Sequence, residues 1–148
     1  RLQVANRSDL LVQARQGSGS FGIVYRALWK GAEVALKVAR NVPCRGASDD
    51  FRNEAQTMED LQLAGGLPHP NILRLVAVCH EDEFGHVSLL TEYCEHGTLA
   101  QWLTIDENAV ASLAQLRLRM KLLHEVAAAL AWVIASGFVH CDVKMGKN

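Results

Sequence analysis

Short runs of alternating apolar and polar residues predict β-strands in the N-terminal part of the chain. The first three runs cover residues 9–16, 22–29 and 32–38, and turns rich in glycine separate them. Runs of this length, rich in β-branched residues and divided by turn residues, are typical of an antiparallel meander. Two more runs follow at residues 72–79 and 86–93. The pattern therefore predicts five strands.

The apolar period changes to that of a helix between the third and fourth runs. Phe51, Glu54 and Met58 fall on one helical face within residues 48–64, and Ser48 is a plausible N-cap. Beyond Gly97 the apolar period is that of helices, with a polar loop between them.

A short helix is predicted at residues 99–103, and a long amphipathic helix runs from about Ser112 to Ser136. The composition changes from strand-rich to helical near residues 95–97. We therefore predict an α+β fold with two parts, residues 1–94 and residues 95–148.

Composition and charge narrow the classes of partner. The 15 Lys and Arg residues nearly balance the 16 Asp and Glu residues and are scattered among them, so we expect no nucleic-acid partner. The longest apolar run, residues 126–135, is too short to span a bilayer, so we expect no membrane span in this segment.

Cysteine usage bears on the compartment and on metal binding. The four cysteines are far apart and form no CxxC pair, which favours free thiols in a reducing compartment, so we expect a cytoplasmic protein or the cytoplasmic part of a larger one. A metal site built from Cys79, His86, Cys94 and His96 would match no zinc spacing.

Three glycines form a GxGxxG pattern at Gly17, Gly19 and Gly22. A dinucleotide fold needs a helix after such glycines, whereas residues 23–29 have strand character, and a Walker loop needs a Lys-Ser or Lys-Thr pair that is missing here. Two interpretations remain open at this point. One is an ordinary turn, and the other is a hairpin flap whose bare backbone approaches phosphates closely.

Further motifs accompany the glycines in a fixed order. Val24 follows Gly22 by two residues, the sequence VALK ends at Lys37 one strand later, and HCDVKMGKN covers residues 140–148. With these motifs the chain resembles a eukaryotic protein kinase domain, nearest to the tyrosine-kinase-like branch of serine/threonine kinases, from about Asp9 to its last residue. The resemblance implies a five-stranded antiparallel N-lobe with one helix and a hinge (residues 1–94), followed by a partial helical C-lobe (residues 95–148).

The resemblance also implies a binding site for MgATP. Lys37 would hold the α- and β-phosphates, and Glu54 would pair with Lys37. Thr91 would be the gatekeeper residue at the back of the adenine pocket. The remaining nucleotide contacts would come from Gly17, Gly19, Gly22, Val24, Ala35 and the backbone of Glu92 and Cys94.

The last motif would supply the catalytic loop. Asp142 would accept the proton of the attacking hydroxyl, Lys144 would stabilise the transferring phosphoryl group, and Asn148 would bind Mg²⁺. Lys144 favours a Ser or Thr hydroxyl of a protein substrate. Cys141 stands where the family usually has an arginine that pairs with a phosphorylated activation loop, so we expect activity that does not depend on that pairing.

The resemblance leaves the activity of this chain open. The sequence ends before the DFG aspartate and the activation loop, so we expect an incomplete catalytic domain that is nearly inert by itself. The alternative is a non-catalytic truncated kinase or pseudokinase that binds nucleotide or a partner. A third interpretation is an unrelated globular protein.

Overall fold

A mixed six-stranded sheet forms the N-terminal part of the protein. The computed structural model of the chain describes residues 2–19, 22–39, 45–80, 87–104 and 113–144. The strand order is β1-β5-β6-β4-β3-β2, with β1 (Gln3–Asn6), β2 (Leu10–Gly19), β3 (Gly22–Trp29), β4 (Ala32–Val38), β5 (Leu75–His80) and β6 (Val87–Glu92).

The α+β fold is confirmed, with one strand more than the five that the sequence predicts. The additional strand, β1, runs parallel to β5 and makes the sheet mixed rather than wholly antiparallel. Its four residues, QVAN, are too few to show alternation, and their pairing partner lies far along the chain. The other strands follow the predicted runs with two differences: β2 continues to Gly19 rather than ending at residue 16, and β5 begins at Leu75 rather than at residue 72.

A two-residue turn joins β3 to β4. Lys30 and Gly31 both have positive φ, +52° and +79°, as a type I′ turn requires. The Lys30 ammonium lies 4.2 Å from the centroid of the Trp29 ring, a cation–π contact between the first residue of the turn and the last residue of β3. This tight turn sets β3 and β4 in register, with Val24 opposite Lys37.

Helix α1 (Arg45–Leu63) packs on the sheet through an apolar face. Phe51 and Ala55 are buried against Leu75, Val87 and Leu89. A second buried cluster, which includes Ala27, Leu36 and Leu90, lies elsewhere in the sheet. The helix begins at Arg45, ahead of the predicted N-cap Ser48. The sequence does not indicate this start, because Pro43 and Gly46 are residues that usually interrupt a helix.

Two further helices form the C-terminal part. Thr98 and Gln101 cap helix α2 (Leu99–Thr104) reciprocally: the Gln101 N–H donates to Thr98 Oγ1 at 3.2 Å, and the Thr98 N–H donates to Gln101 Oε1 at 2.8 Å. Helix α3 (Leu113–Ala135) is terminated by Gly137, two residues beyond its end, whose φ of +86° allows the Phe138 N–H to donate to the Val133 carbonyl.

The chain divides into two compact units. The first contains Arg1–Pro68 and Leu73–Cys94, and the second contains His69–Ile72 and Glu95–Asn148. Within the second unit, the His69 ring lies 5.4 Å from the Trp132 ring, centroid to centroid, which joins the short segment to α3. None of the helices in the described ranges combines the length and the apolar character that crossing a bilayer requires.

Candidate functional site

Lys37 and Glu54 form a close ion pair between β4 and α1. The Lys37 ammonium donates to both carboxylate oxygens of Glu54, at 2.7 Å and 2.6 Å, and also lies 5.2 Å from the centroid of the Phe51 ring. The side chain of Lys37 is 25% exposed, so the cation is held in place but can still reach a ligand. The pairing expected from the sequence is therefore present, while its role in binding nucleotide stays a prediction.

The strands place the predicted adenine-contacting residues beside this ion pair. Val24 on β3 is the register partner of Lys37, and Ala35 on β4 is the register partner of Thr91 on β6. Directly opposed residues of an antiparallel pair lie on the same face of the sheet. Val24, Ala35, Lys37 and Thr91 therefore share one face, and Val24 and Ala35 are partly exposed there.

The glycines of the β2–β3 hairpin differ in their surroundings. A Cβ atom added to Gly17 would meet no atom within 4 Å, whereas one added to Gly22 would lie 2.5 Å from the Val38 carbonyl oxygen. Gly19 pairs with Gly22 across the hairpin, and the tip residues 20 and 21 lie outside the described residues.

This environment fits a phosphate group. A phosphate-binding flap requires open space next to a glycine backbone and a partly exposed ammonium. Gly17 supplies the first and Lys37 supplies the second.

The end of β6 carries the predicted hinge. Thr91 is buried, and its hydroxyl donates to the Glu92 carbonyl oxygen at 3.2 Å. The Cys94 thiol is exposed, yet nearby protein atoms partly desolvate it and raise its pKa, and the negative charge of Glu92 raises that pKa further. Cys94 is therefore a thiol with a lowered thiolate fraction at neutral pH.

Two side chains, those of Gln62 and Glu92, hold the start of β5, and Gln62 was not singled out from the sequence. Gln62 on α1 accepts a hydrogen bond from the Leu75 N–H and donates one to the Leu75 carbonyl at 3.2 Å. On the other side of the strand, Glu92 Oε1 accepts from the Arg74 N–H at 2.8 Å. The sequence does carry one indication of this contact: Gln62 lies about two helical turns after Glu54, which places both residues on the same face of α1.

The predicted catalytic loop lies in the second unit and follows α3. The Lys144 ammonium lies 2.6 Å from Asp142 Oδ1, and the Asp142 N–H donates to His140 Nδ1 at 3.3 Å. Asp142 and Lys144 are both exposed, and Cys141 has a φ of +58°. The structure thus brings two of the predicted catalytic side chains together, and Asn148 lies outside the described residues.

The residues that the structure describes contain no group of three or more His, Cys, Asp or Glu side chains placed to bind a metal ion. The predicted magnesium ligand, Asn148, is not among them.

Comparison with known proteins gives a consistent family. A family model described as protein tyrosine and serine/threonine kinase matches residues 10–147. A probable serine/threonine-protein kinase of Dictyostelium discoideum is 29% identical over 93% of this chain, and the human tyrosine-protein kinase FRK is 30% identical over 93%. Human mitogen-activated protein kinase kinase kinase 10 is 41% identical over 64% of the chain. The chain spans 14%, 25% and 9% of the lengths of these three relatives.

Proposed function

The chain belongs to the family of protein tyrosine and serine/threonine kinases, and on that premise we propose that it binds MgATP and serves phosphoryl transfer to a Ser or Thr hydroxyl of a protein substrate. The observation that carries this proposal is the Lys37–Glu54 ion pair beside the open backbone of Gly17. An ammonium fixed by a carboxylate is already placed for phosphate and loses little freedom when a ligand arrives.

The first unit would hold the nucleotide. Lys37 would neutralise the α- and β-phosphates, and the backbone of the Gly17–Gly22 hairpin would cover them. Val24 and Ala35 would contact the adenine ring, and the backbone of Glu92 and Cys94 would hydrogen-bond its edge. ATP supplies the γ-phosphoryl group that is transferred.

The second unit would act on the hydroxyl of the substrate. Asp142 would accept the hydroxyl proton, and Lys144 would place its positive charge near the oxygens of the transferring group. The Lys144–Asp142 contact supports this assignment because it keeps the two side chains adjacent. Lys144 and the similarity to a probable serine/threonine-protein kinase of Dictyostelium discoideum support Ser or Thr, although tyrosine kinases are also among the relatives.

Nucleotide binding is tested by thermal unfolding of the 148-residue chain with ATP and Mg²⁺. Saturation at about 100 times the Kd stabilises a protein by about 2.7 kcal/mol. We expect Lys37→Met to remove most of this stabilisation. Lys30→Met is the matched control, because Lys30 lies in the β3–β4 turn of the same sheet and should leave the stabilisation intact. An equal ATP response in wild type and Lys37→Met would refute the phosphate site.

Phosphoryl transfer is tested on the intact protein purified from its own cells. Peptides with a single Ser, Thr or Tyr acceptor are incubated with ATP and Mg²⁺, and the products are identified by mass spectrometry. We expect phosphoserine or phosphothreonine, and Asp142→Asn should lower the rate by about 10²- to 10⁴-fold while ATP binding persists. Phosphotyrosine would overturn the proposed substrate class. Binding without transfer would favour the non-catalytic alternative.

The proposal extends to location. The three cysteines in the described part of the chain, Cys79, Cys94 and Cys141, are not joined in disulfides. Free thiols persist in reducing compartments, which supports a cytoplasmic protein or a cytoplasmic part of a larger one.

A further inference from the structure

Three residues of α1 share the face that meets the sheet. Glu54, Met58 and Gln62 are spaced by four residues each, so they lie along one side of the helix. Glu54 binds Lys37, Met58 packs against the cluster around Phe51, and Gln62 binds the backbone of Leu75. Gln62 is thus a polar contact between the C-terminal end of this face and the sheet, in addition to Glu59, whose Oε1 accepts from the Leu2 N–H at 3.2 Å.

The Leu75 backbone needs such a partner because of how the sheet is built. On one side of β5, pairing with β1 starts only at Ala77, which is the register partner of Gln3. On the other side, the pairing with β6 shifts register between Leu75 and Ala77. The N–H and C=O groups of Leu75 therefore lie beyond the β1 ladder, and the side-chain amide of Gln62 satisfies both of them.

The same strand end is held from its other edge. The Glu92 N–H donates to the Arg74 carbonyl at 3.0 Å, and the Glu92 carboxylate accepts from the Arg74 N–H. Arg74, the residue before β5, is thus fixed by Glu92, and Leu75, the first residue of β5, is fixed by Gln62. The contacts form a continuous hydrogen-bonded connection from α1 to the end of β6.

We propose that Gln62 is a positioning residue for the Lys37–Glu54 ion pair, because it fixes the end of α1 to β5 and thereby sets where Glu54 meets Lys37. The inference rests on the proposed function, since it assigns the ion pair to nucleotide binding. Gln62 touches neither Lys37 nor a phosphate in this assignment. It acts through the helix that carries Glu54.

The test replaces Gln62 by methionine, which has similar length and helix propensity but cannot form either hydrogen bond. Two quantities are measured on the 148-residue chain: the Kd for MgATP by calorimetry, and the rate at which a short pulse of acetic anhydride acetylates Lys37, followed by mass spectrometry. We expect the Kd to rise by about 5- to 10-fold. We also expect faster acetylation of Lys37, because Glu54 no longer holds the ammonium.

Gln56→Met is the matched control. Gln56 lies on the same helix and is exposed to solvent. Its side-chain amide donates to Asp60 Oδ1, at a donor–acceptor distance of 2.8 Å. This variant should leave both the Kd and the Lys37 acetylation rate at their wild-type values. A double-mutant cycle adds a second requirement, because a residue that acts through Glu54 loses its effect once Glu54 is changed. In a Glu54→Gln background, Gln62→Met should change the Kd by less than about twofold.

The outcomes separate this inference from the proposed function. If Gln62→Met lowers the melting temperature but leaves the Kd and the acetylation of Lys37 unchanged, Gln62 is only structural and the inference is overturned. If wild type does not bind MgATP, or Lys37→Met binds it equally well, the proposed function fails instead, and the acetylation rate alone decides whether Gln62 positions the ion pair. Should Gln62→Met not fold, Gln62→Glu is measured in the same way, since it keeps an acceptor for the Leu75 N–H and loses the donor.

Discussion

Gly22 provides the sharpest test of how the glycine hairpin is built. A Cβ atom at this position would lie 2.5 Å from the Val38 carbonyl oxygen and 3.3 Å from Phe51 Cζ. The carbonyl belongs to the backbone of β4, where Val38 pairs with Ile23, so it has little room to move. Overpacking and the positive φ of +154° together predict that Gly22→Ala lowers the free energy of unfolding by about 2 to 4 kcal/mol.

Urea unfolding of the 148-residue chain measures this loss. With a denaturant slope of about 2 kcal/mol per molar, the midpoint should fall by about 1 to 2 M. Gly17→Ala is the control from the same motif, because its added methyl group would meet no atom within 4 Å. Gly17→Ala should leave the midpoint nearly unchanged but weaken MgATP binding, since its methyl group enters the space proposed for phosphate. Equal destabilisation by the two variants, or none by Gly22→Ala, would refute this reasoning.

Two further predictions concern the cysteines. Partial desolvation and the charge of Glu92 raise the pKa of Cys94, so iodoacetamide should alkylate this thiol slowly at neutral pH and faster as the pH rises. Glu92→Gln should lower the pKa of Cys94 and speed its alkylation at neutral pH. An unchanged alkylation rate in this variant would contradict the role of Glu92. Cys141 has a φ of +58°, which glycine adopts without strain, so Cys141→Gly should keep or raise the free energy of unfolding. Cys141→Val introduces a β-branched side chain at this φ and should lower the free energy of unfolding by about 1 to 2 kcal/mol. Equal urea midpoints for the two variants would exclude backbone strain at this position.

Local patterns were sufficient to predict most of the fold. The alternation in residues 22–29 and 32–38 matches β3 and β4 as they occur, and the period of residues 112–136 differs from α3 by one residue at each end. β1 was missed because a four-residue strand that pairs with a distant partner leaves no local signal. β5 begins late because the Ile72 N–H binds the His69 carbonyl within the second unit, a contact that a strand pattern cannot show.

The site was predictable only where a motif marked it. Lys37 and Glu54 were paired by resemblance, and the structure places them 2.6 Å apart. Gln62 was not predicted, because its role depends on the Leu75 backbone groups that lie beyond the β1 ladder, and the extent of that ladder is not visible in the sequence. A side chain that completes a strand end is visible only after the strands have been placed.

The short strand β1 has a consequence for how the protein behaves in solution. It lies outside residues 10–147, which the family model matches, and it covers the outer edge of β5 at four register positions. Two of the covered residues, Ala77 and Cys79, are fully buried. Without β1, the edge of β5 would present free N–H and C=O groups flanked by apolar side chains, which is a template for pairing with another molecule. With β1 in place, the outer edge of the sheet is instead a four-residue strand of which only Ala5 is buried, and short edge strands of this kind pair less readily with another molecule.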